Sequence, residues 1–277
     1  MKKISIAGFL RVSLAVFCGL ALSIIASGIN SKAYAGMIDL TTADSWGTAN
    51  GAFFIQYDPR STGSGVLDPF VRLQTNNNQE QGYNTDGRPH PVIWPDVNTS
   101  ITHTHSLQLK DLVVVGDYYE FVLDVNENNN ELISLDMIKI YLANSGDTGI
   151  QTTANISDLG TLVYDLDGGS NADNWIKLDA RLSTGSGQGD MVAFIPKFAG
   201  DPEQYVYFYS RFGDHNYVDA GFEEWGLVEG GTGVNPPVPE PASMSLLGLG
   251  LLGLGALRRK TTSSLRTPKG RSNHDNT

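Results

Sequence analysis

Hydrophobic and polar positions alternate along the middle of this chain in short runs roughly ten residues apart, with Gly, Asn and Asp between them. The runs fall at 52–57, 70–73, 101–109, 112–115, 118–125, 137–142, 161–166, 175–178, 191–195, 205–212 and 222–228. A two-residue period over four to eight residues predicts strands with one face turned to a core. Gly116-Asp117 between two runs predicts a tight hairpin, because glycine at the first central position suits a type II′ turn. Asn76 to Gln79 reads as a polar loop and Asp86 to Pro89 as a turn. The stretch 132–143 is the one segment of the body whose pattern also fits a helix. Many short strands with turn residues between them predict an all-β fold, an antiparallel β-sandwich or jelly-roll-like domain over 36–229.

The two ends depart from that pattern. Lys2, Lys3 and Arg11 precede an apolar run at 12–26, and Ala33-Tyr34-Ala35 supplies small residues at a cleavage site. This predicts a signal helix over 1–35 that signal peptidase removes after Ala35. Cys18 is the chain's single cysteine and lies in that segment, so the mature chain has no thiol and no disulfide framework. Beyond the body, 230–238 reads as a Gly/Pro linker. Pro239-Glu240-Pro241 comes next, and both prolines lack a backbone donor, which predicts an exposed extended handle. Residues 244–257 form an apolar run shorter than the roughly 20 residues that usually span a bilayer. Arg258-Arg259-Lys260 close it and should stay on the cytoplasmic side. This predicts a short transmembrane helix within 239–260 and a disordered tail over 261–277.

The order of triplet, short apolar helix and basic cluster resembles the PEP-CTERM sorting segment of Gram-negative bacteria that make exopolysaccharide. The resemblance implies recognition at the membrane by an exosortase-type enzyme and processing near the triplet. It puts the sorting role on Pro239, Glu240, Pro241, Arg258 and Arg259. The 17 residues after Lys260 are more than that family's pattern leads one to expect. Leu107 to Leu112, Tyr118 to Glu127, Phe208 to Gly213 and the block Gly221-Phe222-Glu223-Glu224-Trp225 also resemble the bodies of exported proteins of this kind that have no assigned activity. That likeness implies no catalytic residue.

Charge narrows the partners. Between 36 and 238 the chain carries 9 Lys and Arg against 28 Asp and Glu, a net charge of −19. So acidic a body disfavours nucleic acid and anionic membrane surfaces, and it suits divalent cations or a solvated extracellular surface. Asp124, Asn126, Asn128 and Asn130, with Asp136 beyond, place oxygen-bearing side chains at alternate positions, a candidate calcium loop. It departs from a calcium-binding helix-loop-helix pattern at Asn129, where a glycine is expected, and at Leu135, where an acid should close the shell. Asp165-Leu166-Asp167-Gly168-Gly169, with Asp173 downstream, is a second oxygen-rich loop that also reads as a plain turn. His103 and His105 on one strand face offer two zinc ligands, with His90 or Asp96 as a third. Tyr205, Tyr207 and Tyr209 on one strand face offer a platform for stacking on sugar rings. Glu223 and Glu224 are adjacent on a strand and point to opposite faces, which rules out a facing acid pair for glycoside hydrolysis. No nucleophile elbow, phosphate loop, dinucleotide fingerprint or zinc-protease motif occurs. The leading expectation is a non-enzymatic cell-surface or extracellular-matrix protein associated with exopolysaccharide or cell-envelope glycan. The alternative is a carbohydrate-binding module, or less readily a hydrolase.

Overall fold

The computed structural model describes residues 36–57, 67–74, 79–87, 102–126, 132–150, 153–168, 173–183, 189–215, 221–237 and 250. The chain divides into two units, Met1–Asn235 and Pro236–Thr277. The expected signal helix, the triplet, the basic cluster and all of the apolar run but Gly250 lie outside the described residues.

The first unit is all-β. Its strands are β1 (Met37–Asp39), β2 (Trp46–Ala49), β3 (Ala52–Gln56), β4 (Leu67–Leu73) and β5 (Glu80–Tyr83). They continue as β6 (Leu107–Gln108), β7 (Val113–Val115), β8 (Tyr118–Asn126), β9 (Leu132–Ala143) and β10 (Thr161–Asp165). The last four are β11 (Trp175–Asp179), β12 (Met191–Pro196), β13 (Tyr205–Phe212) and β14 (Phe222–Val228). One sheet runs β1-β11-β9-β13-β5, with β10 also on β9 and β6 also on β13. The other runs β2-β3-β12-β8-β14-β4, with β7 also on β8. Among the described residues every pairing is antiparallel except β1 with β11.

Side-chain alternation explains how the sheets stack. Phe121, Leu123 and Val125 of β8 enter the same core as Ile138, Ile140 and Leu142 of β9. Phe208 of the first sheet meets Phe70, Phe121 and Trp225 of the second at ring-centre distances of 5.7, 5.0 and 4.6 Å. Trp225 donates its indole N–H to the Ser210 hydroxyl across the gap at 3.1 Å. Two sheets sharing one interior make this fold sandwich-like.

Both outer faces carry apolar clusters as well. On the first sheet Tyr83, Tyr141, Tyr207 and Tyr209 are buried with Leu159, and Ile150 and Ile156 of the 144–159 connection pack on them. On the second, Phe53, Val122, Val192 and Phe194 are buried, with Tyr57, Tyr118 and Val234 packed around them.

One ambiguity of the sequence resolves and one reading needs correction. The 132–143 stretch is strand throughout, the longest in the unit at 12 residues. Its β-branched Ile133, Ile138 and Ile140 are buried in the core between strands of both edges, which overrides any helical period. The 101–109 run is strand only at Leu107–Gln108 and turns into a short 3₁₀ helix at Leu109–Asp111. Strands β1, β2 and β5 had no recognisable apolar run: β1 and β2 have three and four residues, and β5 is Glu-Gln-Gly-Tyr.

Candidate functional site

Strand β14 delivers the chain toward its C-terminal segment, and the residues just after it are folded rather than loose. Gly230, Gly231 and Gly233 adopt φ of 78°, 82° and 77°, a region that glycine enters freely. They reverse the chain after β14, and the Gly231 N–H donates to the Val228 carbonyl at 2.8 Å. The reversal brings Thr232 onto Glu120, which β8 turns to the outer face of its sheet. The Thr232 N–H donates to Glu120 Oε1 at 2.7 Å and its hydroxyl donates to Oε2 at 3.0 Å. The Val234 N–H then donates back to the Thr232 hydroxyl at 3.2 Å, and Val234 packs against the outer apolar cluster. Glu120 is 1% exposed. Burial pushes its carboxyl above the usual carboxylate range, and the two bonds from Thr232 pull the other way. The first half of the expected linker is thus a strap fastened to the body.

The candidate calcium residues do not converge among the described residues. Asp124 lies opposite Glu224 in the β8–β14 ladder, while its neighbours Leu123 and Val125 enter the core. Asp124 therefore belongs to the outer side of the second sheet. Asp136 lies on β9, in the other sheet, between the core residue Leu135 and the half-buried Met137. Its Oδ1 contacts His215 Nδ1 at 2.6 Å, and its Oδ2 accepts from Ser134 Oγ at 2.9 Å and from the Asp214 N–H at 2.7 Å. Burial raises the Asp136 carboxyl, and these hydrogen bonds oppose that rise. Asn126 ends β8, and Asn128 and Asn130 lie outside the described residues. Among the described residues no three or more His, Asp or Glu side chains group closely enough to hold a metal ion.

The second oxygen-rich loop is a turn. The Gly168 N–H donates to the Asp165 carbonyl at 2.9 Å, and the Asp167 carboxylate accepts from the Asn174 N–H at 2.8 Å. Asp165 also pairs with Lys139 at 2.9 Å.

The tyrosine row is real as a strand face and closed as a platform. Tyr207 and Tyr209 are 1% and 2% exposed, and Tyr205 is half-buried. Their rings lie under the 144–159 connection, so the expected exposed stacking surface is corrected to a buried cluster. The Tyr207 hydroxyl donates to the Ser145 carbonyl at 2.8 Å, and the Tyr209 hydroxyl donates to Gln81 Oε1 at 2.8 Å. Burial pushes both phenols up to about 12.

The histidine pair is also corrected. His103 lies in a turn and His105 on irregular chain, where its Nδ1 sits 2.8 Å from the Ser106 carbonyl oxygen. The shared strand face is absent because β6 begins only at Leu107, after both histidines. His90 and Asp96 lie outside the described residues.

Glu223 and Glu224 diverge, as adjacent strand residues must. Glu224 pairs with the Arg72 side chain at 2.5 Å, and Arg72 also lies over the Phe222 ring. Glu223 lies opposite the core residues Leu73 and Val125 and is fully buried, with neither carboxylate oxygen hydrogen-bonded among the described residues.

Sequence reasoning missed three features. His215 stacks on Trp175 with ring centres 4.1 Å apart while Asp136 holds its Nδ1. Asp190 is buried at the start of β12, where burial raises its carboxyl well above the usual range even though it accepts the Val125 N–H at 2.7 Å. Glu120 meets Thr232 from 112 positions away. Nothing in the sequence set Glu120 apart, because Asp124 shares its strand face.

Residues 237–260 match the PEP-CTERM protein-sorting motif. No curated protein and no solved structure matches the chain. The motif implies an exported chain that passes through a membrane-anchored intermediate and is handled by an exosortase. No helix among the described residues is long and apolar enough to cross a membrane.

Proposed function

We propose that this is a non-enzymatic envelope protein, exported through its N-terminal signal, held at the inner membrane by its C-terminal segment and then passed to the cell surface or the exopolysaccharide matrix. The observation that carries the reading is the sorting motif at 237–260. The body supports it in two ways. Its charge of −19 over 36–238 suits a solvated extracellular surface. Its two most suspicious acids, Glu223 and Glu224, point to opposite sides of β14, one at the core and one at Arg72. The sugar-binding alternative loses its main support with the burial of Tyr207 and Tyr209.

Cell fractionation tests the reading. The wild-type chain should appear outside the cytoplasm in a form shorter at both ends. Replacing Pro239-Glu240-Pro241 by alanines should trap a membrane-held form that keeps its C-terminal segment. Equal release of both chains would remove the sorting role from the triplet.

A further inference from the structure

We propose that Glu120 and Thr232 are positioning residues for the C-terminal processing step: their latch sets how far the sorting triplet reaches from the folded body. The inference rests on the sorting reading above and adds to it a role for the body. The chain is fastened at Thr232 by two bonds to one buried carboxylate, and again at Val234 by packing on the outer face of the second sheet. With the latch closed, only four residues separate Val234 from Pro239, and the five Cα steps between them reach at most about 17 Å. With the latch open, the free chain starts at Val228, and the eleven Cα steps to Pro239 reach at most about 38 Å. An enzyme that works on an extended segment must fit around the triplet, and a domain held four residues away crowds it. Latch closure therefore slows processing, and release speeds it.

The local sequence is built for closure. Gly231 has φ of 82°, and a Cβ placed there would meet Val113 Cγ1 at 3.4 Å and Glu120 Oε1 at 3.5 Å. Those are ordinary contacts, so it is the positive φ that requires glycine in this turn, where composition alone reads the run as slack. Glu120 is buried in β8, with β12 and β7 on either side, so the body presents it rigidly.

The test uses the full-length chain in the producing cell and the same chain purified. Glu120→Leu removes both acceptors together with the buried charge. Glu120→Gln keeps an acceptor for the Thr232 N–H and a donor for its hydroxyl. Hydrogen exchange at the Thr232 amide should quicken at least about tenfold in Glu120→Leu and stay near wild type in Glu120→Gln. The processed fraction at early times after synthesis should rise about twofold or more in Glu120→Leu, and Glu120→Gln should restore the wild-type value. A second variant, Gly231→Val, opens the latch by straining the turn at φ 82° while leaving the Glu120 carboxylate in place, and should match Glu120→Leu in both readouts. Unchanged exchange in both opening variants overturns the latch. Faster exchange with unchanged or slower processing overturns the positioning role and leaves the sorting reading standing. If the wild type is never processed, the sorting reading fails and takes the positioning role with it, while the exchange result still judges the latch.

Discussion

Phe208 shows how single residues join the two sheets. Its ring is fully buried and touches Phe70, Phe121 and Trp225, all from the facing sheet. Phe208→Ala should destabilise the body by about 3–5 kcal/mol, because lost transfer energy and an unfilled cavity add. Urea unfolding of the purified body measures it, and a loss under about 1 kcal/mol would mean that the ring is not at the joint. Ser210 beside it holds the Trp225 indole N–H. Ser210→Ala should cost about 1–3 kcal/mol, since a buried donor is left unpaired. Tyr207 and Tyr209 make the contrast. These rings are as buried as Phe208 but lie on the opposite face of the same strand. Their hydroxyls find acceptors at Ser145 and Gln81, which is how a phenol is tolerated inside.

At the scale of elements, the β7–β8 hairpin follows its turn chemistry closely. Val115 pairs with Tyr118, which leaves Gly116-Asp117 as a two-residue loop, and only Gly116 of the two has positive φ, at 59°. That fits the type II′ turn expected of Gly-Asp. Nothing lies within 4 Å of a Cβ built on Gly116. Gly116→Val should therefore cost about 1–3 kcal/mol through backbone strain alone, with no cavity or clash. A midpoint in urea equal to wild type would refute the turn type. Strands such as Tyr205–Phe212 and Phe222–Val228 were legible to the residue, because alternation, β-branched and aromatic content and flanking turns agree there. Short edge strands were not legible. Met37–Asp39 has three residues and finds its place only by parallel pairing with β11. The outer-face contacts were illegible for a different reason. Alternation tells which side chains share a face, but not whether a distant connection covers that face. The 144–159 connection covers the tyrosines, and the 229–234 strap covers Glu120. Both covers come from segments whose own composition reads as loop.

At the scale of the whole molecule, the sandwich-like body is acidic, and its buried acids give it a definite response to pH. Burial raises the carboxyls of Glu120, Asp136, Asp167 and Asp190. A raised carboxyl means that the folded chain binds protons which the unfolded chain has already released. Stability therefore falls as pH rises through that window and grows as pH drops back through it. Asp39 and Asp179 are lowered, chiefly by hydrogen bonds from Thr41 and Arg181. Their contribution is present at neutral pH and is lost as pH falls through their folded values, below the ordinary carboxylate range. The thermal midpoint of the body should rise on going from about pH 7.5 to about pH 5, then fall below about pH 3.5. A midpoint that declines steadily from neutrality would contradict the raised group. Export of the chain and its sorting by the C-terminal segment are tested most directly by the intact mass of the protein isolated from its producing cells. A mature form that begins at Gly36 and has lost the apolar run at 244–257 is the predicted result. A single cytoplasmic species running from Met1 to Thr277 would contradict it.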